Sequence, residues 1–112
     1  MFTWRPLVSQ SDTTNTIQVK ATDNGTPNWS ATNSFVITVN AASQPVLSSI
    51  SLGSPMTLTA TGMLGPDYAL FTSSNLADWQ LLAATNPTTM PIQFNDTNRN
   101  DSARIYRLQL GP

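Results

Sequence analysis

The chain contains no cysteine, no histidine and no glutamate, and only 10% of its 112 residues are charged. Each absence excludes something. Lack of cysteine removes disulfide frameworks and thiolate metal sites, while leaving the cellular compartment open. Lack of histidine removes the side chain that titrates near neutrality and serves as base in a hydrolytic triad. The acids are Asp12, Asp23, Asp67, Asp78, Asp96 and Asp101. All six fall in predicted turns or loops, where solvation leaves a carboxyl at its ordinary pKa, whereas a general acid needs a raised one. No glycine-rich phosphate cradle or dinucleotide fingerprint occurs. The expectation is that the chain is not an enzyme. A formal net charge of −1 gives no electrostatic reason to expect nucleic acid as a partner. The apolar runs are only a few residues long, too short to insert in a membrane or to form the core of a signal peptide. An export signal, if the protein is exported, is expected outside this chain.

What is present is the composition of a β-protein. Ser, Thr and Asn make up about a third of the chain, suited to outward strand positions and turns. The clearest segment is Tyr68 to Leu82, YALFTSSNLADWQLL. Tyr68, Leu70 and Thr72 alternate with Ala69, Phe71 and Ser73, the period of a strand with one face on a core. Ser73, Ser74 and Asn75 break that pattern with side chains that bond nearby backbone. Alternation resumes with Trp79, Leu81 and Ala83 on the predicted inward side. This is a β-hairpin with a long, ordered corner.

The same reading extends along the chain. Met1 is followed directly by Phe2, Thr3 and Trp4, so the chain is expected to open inside a domain. Ile17, Val19 and Ala21 alternate with polar residues, and Phe35, Ile37 and Val39 form the inward set of a return strand. Asp23-Asn24-Gly25 and Pro27 mark the loop between them. A hairpin alone is marginal in water, so these apolar faces need further strands to cover them. Asn40 to Pro45 is the predicted boundary, which gives domains 1–44 and 45–112. Beyond it, strands are predicted at Val46 to Leu52, Met56 to Thr61, Tyr68 to Ser73, Trp79 to Ala84, Met90 to Asn95 and Arg104 to Leu110. Trp4, Tyr68, Trp79 and Tyr106 are assigned to inward faces, and Arg104 and Arg107 to a solvated outer face.

Two resemblances rest on these residues. The runs FTW-x-P, T-I-x-V-x-A-T-D-N-G-x-P and S-F-x-I-T-V-N, spanning Phe2 to Asn40, resemble the last strands of a bacterial cadherin-like or immunoglobulin-like repeat. G-x-x-G-P-x-Y at Gly62 to Tyr68, S-S-N-L-x-x-W at Ser73 to Trp79, F-x-D at Phe94 to Asp96 and I-Y-R-L at Ile105 to Leu108 resemble the C-terminal β-module that ends many large secreted or surface proteins of Verrucomicrobia and related bacteria. This half is also similar to fibronectin type III domains in its Tyr, Trp and Tyr-Arg strands, and it stops where that fold would carry a final strand. The resemblances imply an all-β fold of antiparallel β-sandwich type, a partial cadherin-like or immunoglobulin-like sandwich followed by a small fibronectin-III-like module. They also imply an extracellular or cell-surface location, with other domains of a parent protein, a surface protein or a glycan as partners.

Three candidate sites follow. In cadherins the Asp matched by Asp23 is a calcium ligand, but calcium takes six to eight oxygens, and the family's upstream acids and Asp-rich exit linker have no counterpart here. Asp23 is therefore a ligand only within a longer parent, or else the residue that starts the turn before Gly25. Asp96, Asn98 and Asn100 occupy the first, third and fifth positions of a calcium loop, but Asp101 stands where that loop requires Gly and Arg107 where it requires Glu. The other reading is a polar loop between strands. Trp29, at the tip of the Asp23 loop, either contacts a ligand or folds back on its own hairpin. The expected role is a non-catalytic structural or adhesive module of an extracellular bacterial protein. The alternative is a carbohydrate-binding accessory module of a secreted polysaccharide-degrading enzyme, which would need a row of exposed aromatics.

Overall fold

A computed structural model describes residues 1–98 and 103–111. The protein is all-β, built from antiparallel sheets, and divides into two units, Met1–Ala42 and Ser43–Pro112.

The first unit is a two-stranded ribbon. β1 (Thr13–Thr22) and β2 (Ser30–Val39) pair over ten residues each, with Ile17 opposite Phe35 and Asn15 opposite Ile37. The pairing places Ile17, Val19, Phe35, Ile37 and Val39 on one face, as the alternation predicts. That face is not buried: Phe35 is 45% exposed and Val19 55%. Phe2 and Trp4 form no strand. In their place a single 3₁₀ turn at Val8–Gln10 leads into β1, held by the Leu7 N–H on Gln10 Oε1 at 2.8 Å.

The second unit is a sandwich of two three-stranded sheets. One has the order β3 (Val46–Ser51), β4 (Met56–Thr61), β7 (Ile92–Asp96); the other has the order β6 (Gln80–Thr85), β5 (Asp67–Ser73), β8 (Ile105–Gly111). Their inner faces share one core, in which Leu58 and Ala60 of β4 and Tyr68 and Leu70 of β5 are fully enclosed, with Ile92 and Phe94 of β7 nearly so. Each enclosed Leu contributes roughly 1.5–3 kcal/mol of burial. Gly62 is part of this packing. A Cβ there would lie 3.0 Å from Tyr68 Cε1 and closer still to the hydroxyl, and that hydroxyl donates to the Met63 carbonyl at 2.6 Å. The spacing G-x-x-G-P-x-Y thus joins a residue without a side chain to the ring that fills its space.

The corner between β5 and β6 is ordered by its own polar side chains. Ser73 Oγ accepts from the Asn75 and Leu76 N–H groups, and Asn75 Oδ1 accepts from those of Ala77 and Asp78. Beyond the corner two sequence assignments are corrected. Leu81, predicted inward, is 58% exposed, while Leu82 packs on the core. The cause is a bulge: Leu70 pairs with Ala83 and Phe71 with Leu81, so Leu82 has no opposite residue and the alternation changes phase. Trp79, also predicted inward, precedes β6 and lies against Arg107 on the outer face.

Candidate functional site

Charged side chains are few, so the places where they meet are the candidate sites. In the ribbon, the Asp23 to Trp29 loop is organised by one carboxylate. Asp23 Oδ1 accepts from the Gly25 N–H at 3.0 Å and the Trp29 N–H at 2.9 Å; the Asp23 N–H donates to the Trp29 carbonyl, and Asn28 Nδ2 donates to the Asp23 carbonyl. The Trp29 N–H, and then the Gly25 N–H, hold the Asp23 carboxyl below its usual range. Asp23 is thus the residue that closes the loop, and one of its oxygens already has two donors. Trp29 projects from the loop, 73% exposed, and does not fold back over the hairpin.

In the sandwich, Asp96 is corrected from a loop residue to the last residue of β7, with 1% of its surface exposed. Antiparallel pairing sets it opposite Met56, beside Leu58 and Phe94 on the inward face. Arg104, predicted on a solvated outer face, approaches it instead, with Nε 2.7 Å from Asp96 Oδ2 in an ion pair whose two side chains are 10% and 0% exposed. The Tyr106 hydroxyl donates to the same oxygen at 2.7 Å, and the Asn98 N–H donates to Oδ1 at 2.9 Å. Burial pushes the Asp96 carboxyl up and is the largest single influence. The Tyr106 hydroxyl, the Asn98 N–H and the Arg104 charge together outweigh it and hold the group below the usual carboxylate range. Burial, followed by the bond to Asp96, pushes the Tyr106 hydroxyl up. A lone ionised carboxylate could not persist here; with a guanidinium and two donors it can. Sequence alternation does carry a signal for this cluster, because Arg104 and Tyr106 are two apart and share a face.

Neither acidic site, as far as the described residues extend, gathers the carboxylates that calcium takes. Asp23 belongs to no group of three or more carboxylates among the described residues. Asp96 already faces a cation, and the backbone N–H of Asn98 donates to it. Asn100 lies outside the described residues. Among the described residues there is no group of three or more carboxylates.

The third cluster is on the outer face of the β6-β5-β8 sheet. Arg107 Cζ lies 4.5 Å from the centre of the Trp79 ring and 5.4 Å from that of Phe71, a cation–π arrangement with two rings. The Trp79 Nε1–H donates to the Leu76 carbonyl at 3.1 Å, which fixes the indole. The aromatics here hold a guanidinium and do not form an open row. Comparison with protein-family models, with curated proteins and with solved structures finds no match.

Proposed function

We propose that the chain is a non-catalytic structural or adhesive segment of an extracellular bacterial protein, the ribbon being the tail of a cadherin-like or immunoglobulin-like repeat and the sandwich a fibronectin-III-like module. The observation that carries this reading is the Asp96–Arg104–Tyr106 cluster. It is the one site among the described residues where a buried carboxylate, a cation and a hydroxyl converge, and every one of those contacts ties β7 to the start of β8. A catalytic acid would instead have a raised pKa and open access, whereas this carboxyl is lowered and enclosed. Two further acids serve the same kind of role: Asp78 accepts from Asn75 Nδ2 at 2.7 Å and Asp67 from Asn86 Nδ2 at 2.8 Å.

The second reading, a carbohydrate-binding accessory module, is favoured by Trp29 alone, an exposed indole on a loop whose backbone is braced by Asp23. Retention on insoluble polysaccharides separates the two. The structural reading expects wild-type chain to pass through cellulose, chitin and xylan unretarded. Retention that disappears in Trp29→Ala would establish the carbohydrate reading in its place.

A further inference from the structure

We propose that the free edge of β8 pairs antiparallel with β8 of a second copy of this chain, joining two three-stranded sheets into one of six strands. The inference goes beyond the structural role above and rests on separate observations. β8 is an outer strand, with β5 on one side and no strand on the other among the described residues. Alternate N–H and C=O groups along such an edge point away from the sheet and are available to another strand.

Of the sandwich's four outer strands, β8 is the best template. β3 and β6 each carry an irregularity in their pairing, and a bulge twists an edge away from a partner. β7 is regular but has five residues. β8 pairs with β5 over seven residues without a shift in register. The ribbon's edges are longer, but they belong to a two-stranded element with no buried core, and so are a poorer fixed template. Inward side chains at the β8 edge are also incompletely covered. Tyr106, Leu108 and Leu110 are half-buried, although their partners across the strand pair, Leu70 opposite Leu108 and Tyr68 opposite Leu110, are fully enclosed. A strand laid along β8 would extend the sheet over them.

The occupant follows from the sequence of β8, Ile105-Tyr-Arg-Leu-Gln-Leu-Gly111. A two-fold axis at Leu108 brings all seven residues of each copy into pairing. Leu108 then faces Leu108, and Tyr106 faces Leu110, so the inward pairs are apolar throughout. On the outer face Arg107 stands in register with Gln109, so no like charges are opposed. Centring the axis on Arg107 would oppose two guanidinium groups, which is destabilising. Edges are commonly guarded by a charged side chain, but Arg107 leans over Phe71 and Trp79, on the β5 and β6 side of the strand, and leaves the edge unguarded.

The test uses the full chain and Gln109, which is exposed and takes no part in the core. Sedimentation equilibrium from micromolar to millimolar concentration is expected to show a monomer–dimer equilibrium. Gln109→Lys puts on the edge the charge by which edge strands are guarded against pairing, and is expected to raise the dimer Kd roughly twofold to thirtyfold. Amide exchange along β8 is expected to slow with rising concentration in the wild type. A chain that stays monomeric to millimolar concentration would overturn the proposal. So would a dimer whose Kd Gln109→Lys does not move, or one whose β8 amides exchange independently of concentration, since its interface would lie elsewhere.

Discussion

Phe35 of the ribbon and Phe94 of the sandwich occupy equivalent local positions, each on the apolar face of a regular antiparallel strand, yet one is 45% exposed and the other 4%. The ribbon has the longer strands and an uninterrupted register; the sandwich has shorter strands and two register irregularities. The better-formed strands are therefore the less buried. Strand regularity is a local property set by side-chain alternation, whereas burial requires a second sheet at about 10 Å, and only the sandwich has one within its own unit. The exposed face of the ribbon is the feature expected of an element that depends on further strands.

Separating the units is the strongest way to break this comparison. Residues 45–112, expressed alone, are expected to fold and to retain slow amide exchange through β4, β5 and β7. Residues 1–44 alone are expected to exchange at rates near those of an unfolded chain. Slow exchange throughout a monomeric 1–44 fragment would show that the ribbon is self-sufficient and would remove the contrast.

Within the sandwich, the largest effect of a single substitution is expected at Asp96. Asp96→Ala breaks a buried ion pair and removes the acceptor of the Tyr106 hydroxyl, at a cost of about 3 to 5 kcal/mol, comparable to the roughly 3 to 5 kcal/mol that a small unstapled core supplies. Urea denaturation should find the sandwich unfolded or nearly so in dilute buffer. Tyr106→Phe removes one donor and keeps the ion pair, so a smaller loss of about 1.5 to 3 kcal/mol is expected. Gly62→Ala is expected to cost about 1 to 3 kcal/mol, because the added methyl displaces the buried Tyr68 ring. The same assay should show a lowered midpoint with an unchanged slope.

The acid limb of the stability curve sharpens the comparison further. The Asp96 pKa is lowered in the folded state, so the unfolded chain binds its proton first as pH falls. The stabilisation is then fully present above the unfolded carboxyl pKa, near about 3.9, and is lost as pH falls through the lower folded value. Asp96→Asn, if enough structure survives, should flatten that limb of the urea midpoint against pH. An unchanged limb would show that the ion pair contributes no pH-dependent stability. The smallest expected effect is that of calcium. Thermal melting in millimolar calcium and in chelator should coincide, because among the described residues neither Asp23 nor Asp96 belongs to a group of three or more carboxylates. A reproducible rise of several degrees with calcium would show a site at one of the two loops.

Much of the architecture is legible in the sequence because its signals are local. Alternation at Tyr68, Leu70 and Thr72, the turn residues Ser73 to Asn75 and the Asp23-Asn24-Gly25 corner each depend on side chains within a few positions of one another. The role of Asp23 as the closure of its own loop follows for the same reason. Three features depended on tertiary structure. The bulge opposite Leu70 moved Leu81 outward and Leu82 inward, because register is set by the pairing of two strands and not by the pattern of one. Trp79 left the core because Arg107, which neighbours it only through β8, offers its ring a cation on the outer face. Asp96 is a buried, ionised residue only because Arg104 and Tyr106 arrive from the next strand. A carboxylate's environment is fixed by which charges surround it in space, and a sequence specifies those neighbours only through the fold.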